Sequence, residues 1–143
     1  MDLLAPPPEG FEPHVRKSPV TDPWEPLYAR TTDDAVILGL RAAQPHANGR
    51  GFVHGGLISA LADNAMGLSC ARRLGGEASL ITVSLSLHFL AAAQMGQWLA
   101  FETAFVRPGA TLCFAQAFVT ADGAPCARAD GVFRVVRRPP SPG

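Results

Sequence analysis

At 143 residues the chain is the size of one domain, able to bury roughly two-thirds of its unfolded surface, and a 48% hydrophobic content suffices for a core. Twelve Lys+Arg against twelve Asp+Glu leave no formal net charge, which argues against a protein whose main task is to coat nucleic acid or an anionic membrane. Residues 1–34 hold seven acids and three bases, so the rest is mildly basic, with a surplus of four that suits a phosphate-bearing small molecule.

Seven of the thirteen prolines lie in residues 1–26 and three in residues 139–142. That distribution predicts a Pro-rich segment over 1–26, a folded domain over 27–138 and a disordered tail over 139–143. The opening "MDLLAPPPEG" carries an acid where a signal peptide has positive charge, and proline ends its apolar run early. Three cysteines (Cys70, Cys113 and Cys126) without CxxC spacing read as reduced core residues, so a soluble cytoplasmic protein is expected.

"DAVILGLRA" (34–42) alternates as a strand, and "QPHANGRG" (44–51) is a polar loop. From about Gly55 to Arg73 the chain is Ala- and Leu-rich without proline, which predicts a helix stopped by "LGG" (74–76), with Arg72 and Arg73 placed to complement its dipole. Asp63 at mid-span would cost about 3 kcal/mol in a bilayer, so this run is no membrane span. "LITVSLSLHF" (80–89) then shows period two, with Ile81, Val83, Leu85, Leu87 and Phe89 on one face and Thr82, Ser84, Ser86 and His88 on the other. Runs at 98–106, 112–119 and 126–136 follow, joined by "RPGA" and by "TADGAP" with its Asp-Gly turn signal.

The order of strand, helix, then four strands joined by short turns implies an α+β domain with an antiparallel meander and one helix packed on its face. The helix is apolar around most of its circumference: Leu57, Leu61, Ala65 and Leu68 lie on one side, Met66 and Cys70 on another. One sheet covers only one side, so a second subunit is expected.

The chemistry concentrates in "NGRGFVHGGLISALADNAMG" (48–67), where Asp63 is the only formally charged residue between Arg50 and Arg72. The helix start offers unpaired N–H groups and a positive dipole end to a developing oxyanion, and glycine admits a close approach. His54 and Asn48 could orient a ligand or a water, while Asp63 suits a general base or nucleophile. Gly56, Asn64 and Arg50 are candidate substrate-binding residues beside them. Eight residues separate Gly55 from Asp63, about 80° in rotation and about 12 Å along the axis, so one site using both requires two copies of the chain. His14, His46 and His88 lack ligand spacing with a carboxylate and read as surface or packing residues, so no metal is expected.

The stretch 48–67 resembles the hotdog-fold acyl-CoA thioesterases, in particular the phenylacetic-acid-degradation and Them-type branch, with Asn, five residues, His-Gly-Gly, then Asp nine residues after the His. "EPLYAR" (25–30), "LHFLAAAQMGQ" (87–97) and "ADGAPCARADGVFRV" (121–135) extend the likeness over about residues 24–137. The resemblance implies a sheet of about five to six strands wrapped around one long helix, assembled as a dimer or dimer of dimers with shared active sites. It implies that Asp63 is the catalytic carboxylate of the partner's site, that the Gly55 N–H binds the thioester oxygen, that Asn48 and His54 position water and thioester, and that Thr82 assists. The implied substrate is an acyl-CoA, coenzyme A entering as part of the substrate and no separate cofactor being needed; Phe89, Phe101, Trp98 and the Pro-rich segment near Trp24 could shape a pocket for a medium-chain or aromatic acyl group. Two departures, His88 in place of an Asp and "AAAQMGQ" without its proline and acid, lie on the flank of the site and bear on substrate preference. Alternative readings on the same fold are a non-catalytic acyl-CoA-binding protein, against which the retained Asp63 weighs, and an acyl-thioester hydratase or dehydratase, against which the long His-to-Asp spacing and the His-Gly-Gly motif weigh.

Overall fold

The computed structural model describes residues 5–137; the predicted tail at 139–143 lies outside them. Strand β1 (Glu12–Pro13) is followed by β2 (Tyr28–Thr31), β3 (Val36–Arg41), helix α1 (Gly55–Arg73), β4 (Ala78–Phe89), β5 (Trp98–Arg107), β6 (Leu112–Ala121) and β7 (Ala124–Arg137). The strands form one sheet in the order β1-β2-β3-β5-β6-β7-β4, antiparallel throughout. Two short strands, β1 and β2, bring the count to seven.

The expected meander holds for β5, β6 and β7, but β4 breaks it by pairing with β7 at the far edge of the sheet. The cause is the helix. Leaving β3, α1 crosses the sheet and delivers the chain to the opposite side, and residues 90–97 must then carry it back to β5 beside β3. That return is pinned by Leu90 N–H to the Cys126 carbonyl (2.9 Å), Val53 N–H to the Ala93 carbonyl (2.9 Å) and Gly96 N–H to the Ala42 carbonyl (2.8 Å).

The helix begins and ends where its sequence signals place it. The His54 ring caps the N-terminus, and at the other end Gly75 (φ +87°) and Gly76 (φ +81°) adopt the left-handed conformation. Gly76 N–H reaches the Ala71 carbonyl (2.8 Å) and Gly75 N–H the Arg72 carbonyl (3.1 Å), the pair of bonds that defines a Schellman cap. Leu57, Leu61, Ala65, Met66 and Cys70 are buried against the sheet. The floor beneath them is made of small residues, Ala115, Ala117, Ala127 and Ala129, all buried, and this lets the sheet curl closely around the helix. The three cysteines are unpaired and buried in this core.

A β-bulge corrects the expected faces of β4. Thr82 pairs with Phe133 and Ser84 with Val132, leaving Val83 as the extra residue. Directly paired residues share a face, so Thr82 shares the helix-facing side of Phe133, while Leu85, Leu87 and Phe89 oppose Gly131, Ala129 and Ala127 on that same side. Ile81 lies on the outer face instead. The uninterrupted alternation read from the sequence puts Thr82 opposite the apolar face; one inserted residue reverses that.

The Pro-rich segment lies against the domain. β1 pairs with β2, and Phe11 packs edge-on against Trp98 at 5.1 Å between ring centroids. Trp98 lies against Gly39, where a Cβ would come within 2.3 Å of the indole, so only glycine fits. Among the described residues no helix is long and apolar enough to cross a membrane.

Candidate active site

Asp63 lies on the half-buried side of α1, among the small residues Ala60 and Gly67, and Thr82 faces it across from β4. The Thr82 hydroxyl donates to Asp63 Oδ1 at 2.7 Å. A threonine hydroxyl on a carboxylate makes a short, charge-assisted bond that orients the acceptor and leaves Oδ2 open. Both residues line a cavity of about 360 Å³, together with Asn64 from the helix and Leu61 and Phe133 from the core.

The second group of predicted residues lies at the N-terminus of α1, and none of them lines that cavity. His54 Nδ1 accepts the Gly56 N–H at 2.8 Å, so the neutral ring carries its proton on Nε2, which remains free to donate. The Gly55 N–H has no hydrogen-bond partner among the described residues. Phe89 packs over Gly55, where an added Cβ would approach the ring to 3.2 Å. Asn48 organises the loop: its Oδ1 accepts from the N–H groups of Arg50 (2.9 Å) and Phe52 (3.1 Å), an Asx arrangement that leaves its amide NH₂ available. Arg50 is exposed. Within one chain the structure therefore brings Asp63, Asn64 and Thr82 together and holds Asn48, Arg50, His54, Gly55 and Gly56 apart from them, two turns of helix away.

Within one chain His88 pairs with exposed Arg128 on the outer face, turned away from Asp63. His46 is a buried packing residue with a specific task. Its Nδ1 accepts from Ala43 N–H (2.9 Å), its Nε2 donates to the Trp24 carbonyl (2.9 Å), and its own carbonyl takes the His54 N–H (2.9 Å). It thereby ties the Pro-rich segment to the residue that opens the helix, and burial pushes its pKa below the ordinary 6.5.

The sequence reading missed the other wall of the cavity. His14, Arg16, Lys17, Ser18 and Thr21, all from the Pro-rich segment, line it. The signal was present in "HVRKS" (14–18), a cationic polar run between prolines.

A single helix wrapped by an antiparallel sheet, with a carboxylate on the helix and an unpaired amide at its start, defines a hotdog-fold protein. The thioesterase superfamily model matches residues 50–126. A Pseudomonas aeruginosa protein bearing an esterase name is 35% identical over 129 residues, covering 90% of this chain and 96% of that protein. Human acyl-coenzyme A thioesterase 13 is 29% identical over 87 residues, covering 59% of this chain and 60% of that protein. Among solved structures, a Streptococcus pneumoniae thioesterase crystallised with coenzyme A superposes with a TM-score of 0.70 at 21% identity, covering 80% of this chain and 92% of that one. The phenylacetic acid degradation protein PaaI of Thermus thermophilus, as a point mutant, gives 0.72 at 18% identity, covering 82% and 98%. The chain belongs to the thioesterase superfamily and is a thioester hydrolase.

Proposed function

We propose that the protein hydrolyses a medium-chain or aromatic acyl-CoA to the free acid and coenzyme A. The observation that carries this reading is the Thr82–Asp63 hydrogen bond at the edge of a cavity, on a helix whose first amide is unpaired. Thr82 occupies Oδ1, so Asp63 Oδ2 takes a proton from water as the water oxygen attacks the thioester carbon; alternatively Oδ2 attacks directly and water cleaves the resulting anhydride. The carbonyl oxygen gathers negative charge, which the Gly55 N–H and the helix dipole stabilise. The C–S bond then breaks, the sulfur leaves with the proton, and the acid remains. Asn48 and His54 Nε2 supply donors to the water and the thioester, and Gly56, Asn64 and Arg50 lie along the substrate's path.

Because the carboxylate and the amide are two helical turns apart, the site is read as shared between two copies. The free edge of β4, with Ile81, Val83, Leu85 and Phe89 exposed, supports a second chain there. A cytoplasmic location accords with the three unpaired cysteines. The decisive experiment is Asp63→Asn, assayed by thiol release over a panel of acyl-CoAs. Turnover should fall by orders of magnitude while acyl-CoA still binds, and undiminished turnover would remove Asp63 from the chemistry. Mixing Asp63→Asn chains with chains altered at the helix start should restore activity; verified mixed dimers that stay inactive would refute the shared site.

A further inference from the structure

The cavity beside Asp63 has walls of different chemistry. One is α1 and the start of β4, with Leu61, Leu68 and Leu80 around the carboxylate; the other is the Pro-rich segment, with His14, Arg16 and Lys17. That segment lies outside the family-matched residues 50–126. It is nonetheless a built wall. His14 N–H donates to the Leu27 carbonyl (2.9 Å), Leu27 N–H donates to Glu25 Oε1 (2.7 Å), and Ser18 and Thr21 share a hydroxyl hydrogen bond (3.0 Å) with Thr21 buried.

The cations of this wall are not all paired within it. Lys17 is held by Glu25 at 2.6 Å, whereas Arg16 has no ion-pair partner among the described residues. Burial holds His14 below its ordinary 6.5, opposed by Glu25 and helped by Lys17 and Arg16, so its ring is neutral at pH 7. Arg16, exposed at the rim, is then the unpaired cation of this wall, and the anion that shares the cavity with it is the Asp63 carboxylate itself. An acyl group whose thioester sits at Asp63 and whose body fills this cavity meets Arg16.

We propose that Arg16 selects acyl groups bearing an anionic group remote from the thioester, such as a terminal or ring carboxylate. This rests on the hydrolytic reading above and narrows it. A phosphate of coenzyme A is the other anion a thioester carries, and a pantetheine thioester, which lacks those phosphates, separates the two.

The test compares hexanoyl with adipoyl and phenylacetyl with 4-carboxyphenylacetyl, each as the coenzyme A and as the pantetheine thioester. The quantity read is the ratio of kcat/KM for the charged over the neutral acyl group. Arg16→Ala should lower that ratio several-fold on both carriers, the loss of one solvent-screened charge-assisted contact. Glu25→Gln keeps an oxygen for the Leu27 N–H but releases Lys17, and should raise the ratio. An unchanged ratio in both variants overturns the proposal while leaving hydrolysis intact. A loss that follows coenzyme A against pantetheine, whatever the acyl charge, also overturns it and gives Arg16 to the phosphates. A wild-type protein that cleaves none of these thioesters would defeat the hydrolytic reading and this one together.

Discussion

Replacing Thr82 by Val removes one hydroxyl and keeps the branched shape, so the change isolates the hydrogen bond to Asp63. That bond is 2.7 Å long and ends on a carboxylate oxygen. Hydrogen bonds to charged groups contribute about 1.5–3 kcal/mol when water cannot replace the donor. In the isolated chain Thr82 is exposed, which would allow water to take the donor's place and reduce the effect; the second chain proposed above, closing over β4, would restore the full value. At 1.36 kcal/mol per tenfold in rate, kcat should fall about 10- to 100-fold. KM should change little, because Thr82 acts through the carboxylate and not on the acyl body. Thr82→Ser, which retains the donor, should recover most of the loss. The assay is steady-state thiol release on purified protein, with unfolding curves confirming equal stability. Wild-type kcat in Thr82→Val would refute the claim that this hydroxyl orients the catalytic carboxylate, and an equal loss in Thr82→Ser would point to packing instead.

Two further outcomes concern stability. His46 and His14 have folded pKa values below 6.5 because burial disfavours their charged forms, so between those values and 6.5 the unfolded chain binds more protons. Stability should therefore be fully present above pH 6.5 and decline as pH falls through the folded values, seen as a falling urea midpoint; a midpoint flat over that window would contradict buried neutral histidines. His54→Ala removes the ring that accepts the Gly56 N–H and should cost about 1 kcal/mol of unfolding free energy by urea titration, a typical N-cap loss. A loss of activity far beyond that stability change would assign the Nε2 proton a direct part in the reaction.

The helix was readable to the residue. Its proline-free, Ala- and Leu-rich run and the Gly75-Gly76 stop are local signals, and local signals survive folding; the capping role of His54 came only from the structure. Turn chemistry likewise announced the β6–β7 hairpin, where Asp122 adopts φ +48° beside Gly123 at φ +85°. The place of β4 was not readable, because short connections suggest neighbouring strands and only the path of α1 across the sheet sends β4 to the opposite edge. The bulge at Val83 was equally hidden, since an alternating sequence contains no mark of which residue its partner strand will skip.

By itself the sequence determined which residues hold reactive groups: one carboxylate in an apolar helix, an amide end opened by glycine, and a His and Asn just before it. Those follow from composition and spacing along a single element. Tertiary structure alone decided what surrounds them. The bulge turned Thr82 onto Asp63, and the Pro-rich segment set Arg16 at the wall of the cavity. Each of these is a contact between residues far apart in the chain or a register set by a partner strand, and such contacts depend on packing that no short stretch of sequence encodes.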